Sequence, residues 1–157
     1  MISPDDVKRL LPKVVAWVSE MEKAVLKLGY PLLPLNEQDA RRIGVDRVGE
    51  VRIAVLSRIP RPPDQELATL ATRTGLITEN TEGMAFAHGI VLKGRYQADR
   101  ALVAHELAHV KQYERLGGIE PFLRSYFREV LFPPYYPLGP MELEAQREAR
   151  RVCDSAA

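Results

Sequence analysis

A single cysteine, Cys153, leaves the chain without an internal disulfide and fits a reducing compartment. Near the C-terminus, it reads as a free surface thiol. Charge of one sign is missing too: 22 Lys and Arg stand against 21 Asp and Glu, a net +1. That balance removes the electrostatic case for nucleic acid or an anionic membrane as a partner. No run of 18 uncharged apolar residues occurs, so no segment reads as a membrane span. The opening Met1-Ile2-Ser3-Pro4-Asp5-Asp6 lacks the basic and then apolar regions of a signal peptide. The expected location is therefore cytoplasmic. Repeats and low-complexity segments are absent. Histidine is scarce as well: of the three in the chain, two lie four residues apart.

What is present suits one globular domain. The 157 residues, 46% apolar and 27% charged, can bury a core that needs no staples. Twelve prolines, mostly in connecting stretches, predict stiff rather than disordered loops. The chain is organised around residues 98–116. Read as a helix, this stretch is apolar nearly all round (Ala101, Leu102, Val103, Ala104, Leu107, Ala108, Val110) and belongs inside a core. Asp99 is a good N-cap and Gly117-Gly118 a good stop. Yet the helix carries His105-Glu106-Leu107-Ala108-His109. Histidines four apart share one helix face and can bind one Zn²⁺ at about 2.0–2.1 Å each. Glu106 lies beside them, placed to take a proton from a zinc-bound water. Such a short motif can arise by chance, but unpaired His and Glu in apolar surroundings are costly, which favours a metal.

Along the chain, Ser3-Pro4-Asp5-Asp6 reads as cap, first-turn proline and acidic first turn. An amphipathic helix follows from Val7 to Leu28, ended by Gly29, with Pro12 expected to kink it or mark a second start. Residues 30–35 read as a connector. Asn36 reads as the cap of a short helix that stops at Gly44. Residues 48–59 read as a strand through Val51, Ile53 and Val55. Residues 64–74 form a helix with Leu67, Leu70 and Ala71 inward, and 76–78 a short strand. Residues 84–92 are strand-like with a break at His88-Gly89. Helices are expected at 120–132 and 141–154, separated by the irregular Pro133-Pro134-Tyr135-Tyr136-Pro137-Leu138-Gly139-Pro140.

A catalytic zinc needs a third protein ligand and an open position. His88 is the only other histidine, and a lone strand histidine is more often packing. The remaining candidates are carboxylates on the last helix, in Glu142-Leu143-Glu144-Ala145-Gln146. Here the chain resembles the gluzincins, zinc peptidases of the thermolysin-like and Ste-type groups, in which HExxH is followed by a helix bearing a Glu ligand. The resemblance implies Glu142 as ligand with Gln146 in place of an outer Asp; Glu144, with Glu148 four residues on, is the alternative register. The core His105-Glu106-Leu107-Ala108-His109-Val110-Lys111-Gln112 is also similar to a widespread bacterial family with a HELxHVxQ core, over residues 48–149.

The resemblance implies an α+β, zincin-like single domain over 1–157. A small twisted sheet would pack on the HExxH helix, with 1–44 a helical extension and 48–154 the catalytic core. It implies a zinc-dependent metallopeptidase with His105, His109 and Glu142 on Zn²⁺, Glu106 as general base, and a peptide or protein substrate. Such a substrate would add as a strand to the edge strand before the active helix, here 84–92. Tyr135 or Tyr136 is offered as an oxyanion donor, against the plainer reading that both pack the loop. The rival from another class is a structural zinc module without turnover. A DNA-associated SprT-type protease is disfavoured by the neutral charge and the lack of a Cys-rich ribbon.

Overall fold

The structure is a computed structural model that describes residues 2–96 and 98–154. It is α+β, a four-stranded mixed sheet between two layers of helices. Strand order is β1 (Tyr30–Pro31), β2 (Arg52–Leu56), β4 (Gly89–Lys93), β3 (Gly83–Phe86). The β2–β4 pair is parallel; β1–β2 and β3–β4 are antiparallel.

Side chains alternate across a strand, so the central β4 feeds two cores. Ile90 and Leu92 face α2 (Pro34–Ile43), α4 (Arg100–Leu116) and α6 (Pro140–Asp154), packing with Val103, Ala104, Leu107 and Ala145. Val91 faces α1 (Pro4–Leu28), α3 (Gln65–Arg73) and α5 (Ile119–Leu131), packing with Leu10, Val14, Phe86 and Phe127. Residues 4–44 thus share both cores with the rest of the chain.

Several expected starts and stops hold. The Ser3 side chain accepts from Asp6 N–H, and the Asp6 carboxylate accepts back from Ser3 N–H. Asp64 caps α3 and Asp99 caps α4 through side-chain acceptance from Leu67 and Leu102. Gly44 and Gly117 close α2 and α4 in the left-handed region, φ +99° at each. Gly29 ends α1 for a different reason: a Cβ there would meet the carbonyl oxygens of Val25 at 2.7 Å and Ile53 at 2.8 Å.

Other expectations fail on tertiary grounds. Pro12 marks no second start, because α1 continues through it from Pro4 to Leu28, held by its buried stripe from Val7 to Val25. Tyr30 and Pro31 are an edge strand rather than plain connector. Asn36 lies inside α2, which starts on Pro34 without a side-chain cap. Residues 76–78 are not a strand: Thr81 accepts from Thr78 N–H and donates to the Leu76 carbonyl, closing a turn over buried Ile77. Residues 84–92 are two strands, not one, folded back at Ala87-His88; the edge is β3, and β4 lies inside the sheet. Among the described residues, no helix is long and apolar enough to cross a membrane. Cys153 is free but half-buried.

Candidate metal centre

α4 crosses under the sheet with nine of its residues buried, Glu106 and His109 among them. α6 packs along it more extensively than any other pair of elements meets. The N-terminal turn of α6 is held from two sides at one residue. Met141 N–H donates to Glu129 Oε2 of α5 (2.9 Å), and the Met141 carbonyl accepts from Gln112 Nε2 of α4 (2.9 Å). The next residue, Glu142, then points its carboxylate at the histidines of α4.

Three ligand-type atoms converge there. His109 Nε2 lies 3.2 Å from His105 Nε2 and 2.6 Å from Glu142 Oε2; His105 Nε2 lies 3.5 Å from Glu142 Oε1. Donors held about 2.0–2.1 Å from one tetrahedral zinc stand about 3.3–3.4 Å apart. Two of the three separations are close to that, and the third is a tighter charged contact. Glu142 Oε2 is sealed from solvent and makes no hydrogen bond of acceptable angle, His109 notwithstanding. In the metal-free chain the raised His109 imidazole, 2.6 Å away, balances this oxygen's charge without a well-angled hydrogen bond, and its lone pairs stay open to a metal ion. His105, His109 and Glu142 are the one group of three His, Cys, Asp or Glu side chains among the described residues with this convergence. The donor set, two imidazoles and a carboxylate, can hold a metal ion, zinc among them.

The electrostatics follow from burial and these contacts. Burial pulls the His109 imidazole down, but the Glu142 carboxylate more than reverses this and lifts it to about 9. Burial pushes the Glu142 carboxyl up, and the two histidines overcome that, holding it far below the ordinary range. Burial raises Glu106, offset in part by His105 and His109. Glu106 stands beside the three-atom cluster without joining it.

Glu106, His105, His109 and Glu142 all line a cavity of about 710 Å³ between α1, β3, α4, α5 and α6. Its apolar end is made by Trp17 of α1 and Phe86 of β3, edge to face at 5.3 Å. Another wall is an aromatic stack: Tyr113 on Phe122 (3.6 Å between centroids) and Phe122 on Tyr126 (5.3 Å), with Tyr126 edge-on to the His109 ring at 5.8 Å. Along β3, pairing with β4 and the Lys93 N–H to Glu82 carbonyl bond turn the main-chain groups of Gly83 and Ala85 away from β4. The Ala85 carbonyl accepts from the Tyr113 hydroxyl at 3.4 Å, and Gly83 lies on the cavity wall.

The sequence candidates sort clearly. Glu142 reaches the histidines. Glu144, two residues on and about 200° round the helix, instead accepts from Gln112 Nε2 (2.9 Å) and pairs with Arg115 (3.0 Å). Glu148 pairs with Arg151 at 2.8 Å, and Gln146 lines the cavity. His88 sits elsewhere, in the β3–β4 turn between Glu22 and Glu114. Of the two tyrosines, Tyr135 is 53% exposed. Tyr136 lines the cavity, and burial with the nearby Glu142 and Glu106 pushes its hydroxyl up to about 12. Sequence reasoning missed Gln112 and Tyr126. Gln112 stood inside the motif that carries the resemblance, and its place three residues past His109, on the same side of the helix, was the signal available. No family model, curated protein sequence or solved structure matches the chain.

Proposed function

We propose that the chain is a zincin-like, zinc-dependent metallopeptidase. His105, His109 and Glu142 hold the metal, Glu106 is the general base, and a peptide or protein is the substrate. The observation that carries this reading is the buried Glu142 oxygen that has no hydrogen bond, set against two imidazole nitrogens on the wall of a cavity that also contains Glu106. Bound Zn²⁺ would supply Lewis acidity, polarising a peptide carbonyl and making water acidic enough to attack near neutral pH.

The protein's own groups do the rest. Glu106 accepts the proton of the attacking water and passes it to the leaving amine; a carboxyl raised by burial suits a group that must take and then release a proton. The Tyr136 hydroxyl stays protonated across the working range and donates toward the developing oxyanion. A substrate strand adds at the Gly83 edge of β3. The structural-zinc alternative calls for a closed, four-ligand site. The group here has three protein ligands and faces a cavity, which favours turnover.

Elemental analysis and an unbiased peptide mixture test the reading together. Metal-replete protein should carry one zinc and cleave. Glu106→Gln should keep its zinc and fold while losing about 10²–10⁴ in rate, the usual value of a positioned acid–base group. No zinc in wild type, or equal cleavage by the Gln variant, contradicts it.

A further inference from the structure

Gln112 is fully buried, 0% exposed, on the core-facing side of α4. A buried amide is tolerated when its donors and acceptor are all used, and here each is. Its Oε1 lies 2.8 Å from His109 Nδ1. Its Nε2 lies 2.9 Å from the Met141 carbonyl and 2.9 Å from Glu144 Oε1. Both partners of Nε2 can only accept, so the amide orientation follows from chemistry: nitrogen toward α6, oxygen toward His109. An amide oxygen cannot donate. His109 must therefore carry a hydrogen on Nδ1, so that in the neutral, metal-binding form the Nε2 lone pair faces His105 and Glu142. The other arm acts on the carboxylate, because Met141 directly precedes Glu142. Glu144 is braced in turn by Arg115 at 3.0 Å.

We propose that Gln112 is the positioning residue of the centre, one amide that fixes the tautomer of His109 and docks the turn of α6 carrying Glu142. The inference rests on the metal reading above and deepens it. Outer partners of metal ligands are typically worth about 10–100-fold in metal affinity. This one presents two ligands from two different helices. A carboxylate at position 112 could still accept from His109, but it would face the Met141 carbonyl and Glu144 with no donor between them. That asymmetry gives a rescue: moving the amide to position 144 restores one donor between the two side chains.

The test is zinc affinity by chelator competition, alongside thermal melting of the metal-free chain and the visible spectrum of the Co²⁺ form. Gln112→Met should bind zinc about 10–100-fold more weakly and alter the Co²⁺ spectrum, with the metal-free chain still folded. Gln112→Glu should weaken zinc comparably. Combining it with Glu144→Gln should bind zinc more tightly than Gln112→Glu alone while staying weaker than Glu144→Gln alone, because one donor returns and the Met141 carbonyl still lacks its own. A merely structural amide would lower the melting temperature and leave the zinc affinity of the folded chain unchanged. If Gln112→Met fails to fold, the Glu variant and its rescue carry the test. Wild-type protein that binds zinc while both Gln112 variants bind it equally well overturns this inference alone. Wild-type protein that binds none overturns the metal reading with it.

Discussion

Two histidine–carboxylate clusters share α4. At one, His105 and His109 meet Glu142 of α6; at the other, Glu114 meets His88 from the β3–β4 turn. Burial does not distinguish them, since the Glu142 and Glu114 side chains are 8% and 5% exposed. The supply of N–H donors does. Glu114 accepts from the backbone N–H groups of Asp46 (2.8 Å) and Arg47 (3.0 Å) and from His88 Nε2 (2.9 Å); Glu22 accepts from His88 N–H at 2.9 Å. That junction ties α1, the hairpin, the 46–47 segment and α4 together with its anionic oxygens satisfied. At the first cluster Glu142 Oε2 is left without a well-angled hydrogen bond, with His109 Nε2 2.6 Å away and His105 Nε2 3.5 Å from the other carboxylate oxygen. The same residue types build a strut where protein donors suffice and, on the proposed reading, a metal seat where they do not.

Removing one histidine from each cluster should break the comparison most sharply. His109→Ala is expected to weaken zinc by more than the roughly 10–100-fold that loss of an outer partner costs. His88→Ala should bind zinc as wild type does and instead melt earlier. Isothermal titration of both variants checks this, and zinc loss in His88→Ala would erase the distinction.

A smaller effect is the proton that zinc must displace. With His109 lifted to about 9, the metal-free chain holds a proton on this imidazole at neutral pH. Zinc uptake at pH 7 should release it, and apparent affinity should climb as pH rises toward 9. Titrations in buffers of different ionisation enthalpy read the proton count; affinity flat between pH 6 and 9 would contradict the His109–Glu142 contact.

The strut should respond to pH in stability rather than in metal binding. Glu22 and Glu114 are pushed up by burial, but the hydrogen bonds from His88 win and lower both below 4.5. Their contribution is therefore full above pH 4.5 and lost as pH falls through the lowered values. His88 is raised above 6.5, chiefly by Glu22, so its contribution is full below 6.5 and lost as pH rises through the raised value. The junction should stabilise most between about pH 4.5 and 6.5. Glu114→Ala, which strips two backbone donors of their acceptor, should cost about 1–3 kcal/mol there, measured by denaturant unfolding of the metal-free chain. An unchanged midpoint would show that the strut carries no stability.

α4 was legible because its signals are local: an apolar run, caps at Asp99 and Gly117, and the two histidines one turn apart. α3, the α6 helix and the irregular 133–140 segment were legible for similar reasons. The choice between Glu142 and Glu144 was not, because it depends on how α6 docks. Glu129 and Gln112, from two other helices, grip Met141 to set that register. The hairpin was hidden by its turn. Ala87 takes φ +53°, where turn signals are normally Gly or Asn, so two strands read as one interrupted strand. β1 was hidden by its length, two residues ending in Pro31. Pro12 starts no second helix because burial of the α1 stripe outweighs one missing helical hydrogen bond.

The most direct test of the account is anomalous X-ray scattering at the zinc edge from crystals of the zinc-loaded chain. The account predicts one strong peak about 2.0–2.2 Å from His105 Nε2, His109 Nε2 and a Glu142 oxygen, with Glu106 off the metal and no peak at His88. A zinc bound at His88, a centre liganded by Glu144 in place of Glu142, or no ordered zinc at full loading would contradict it.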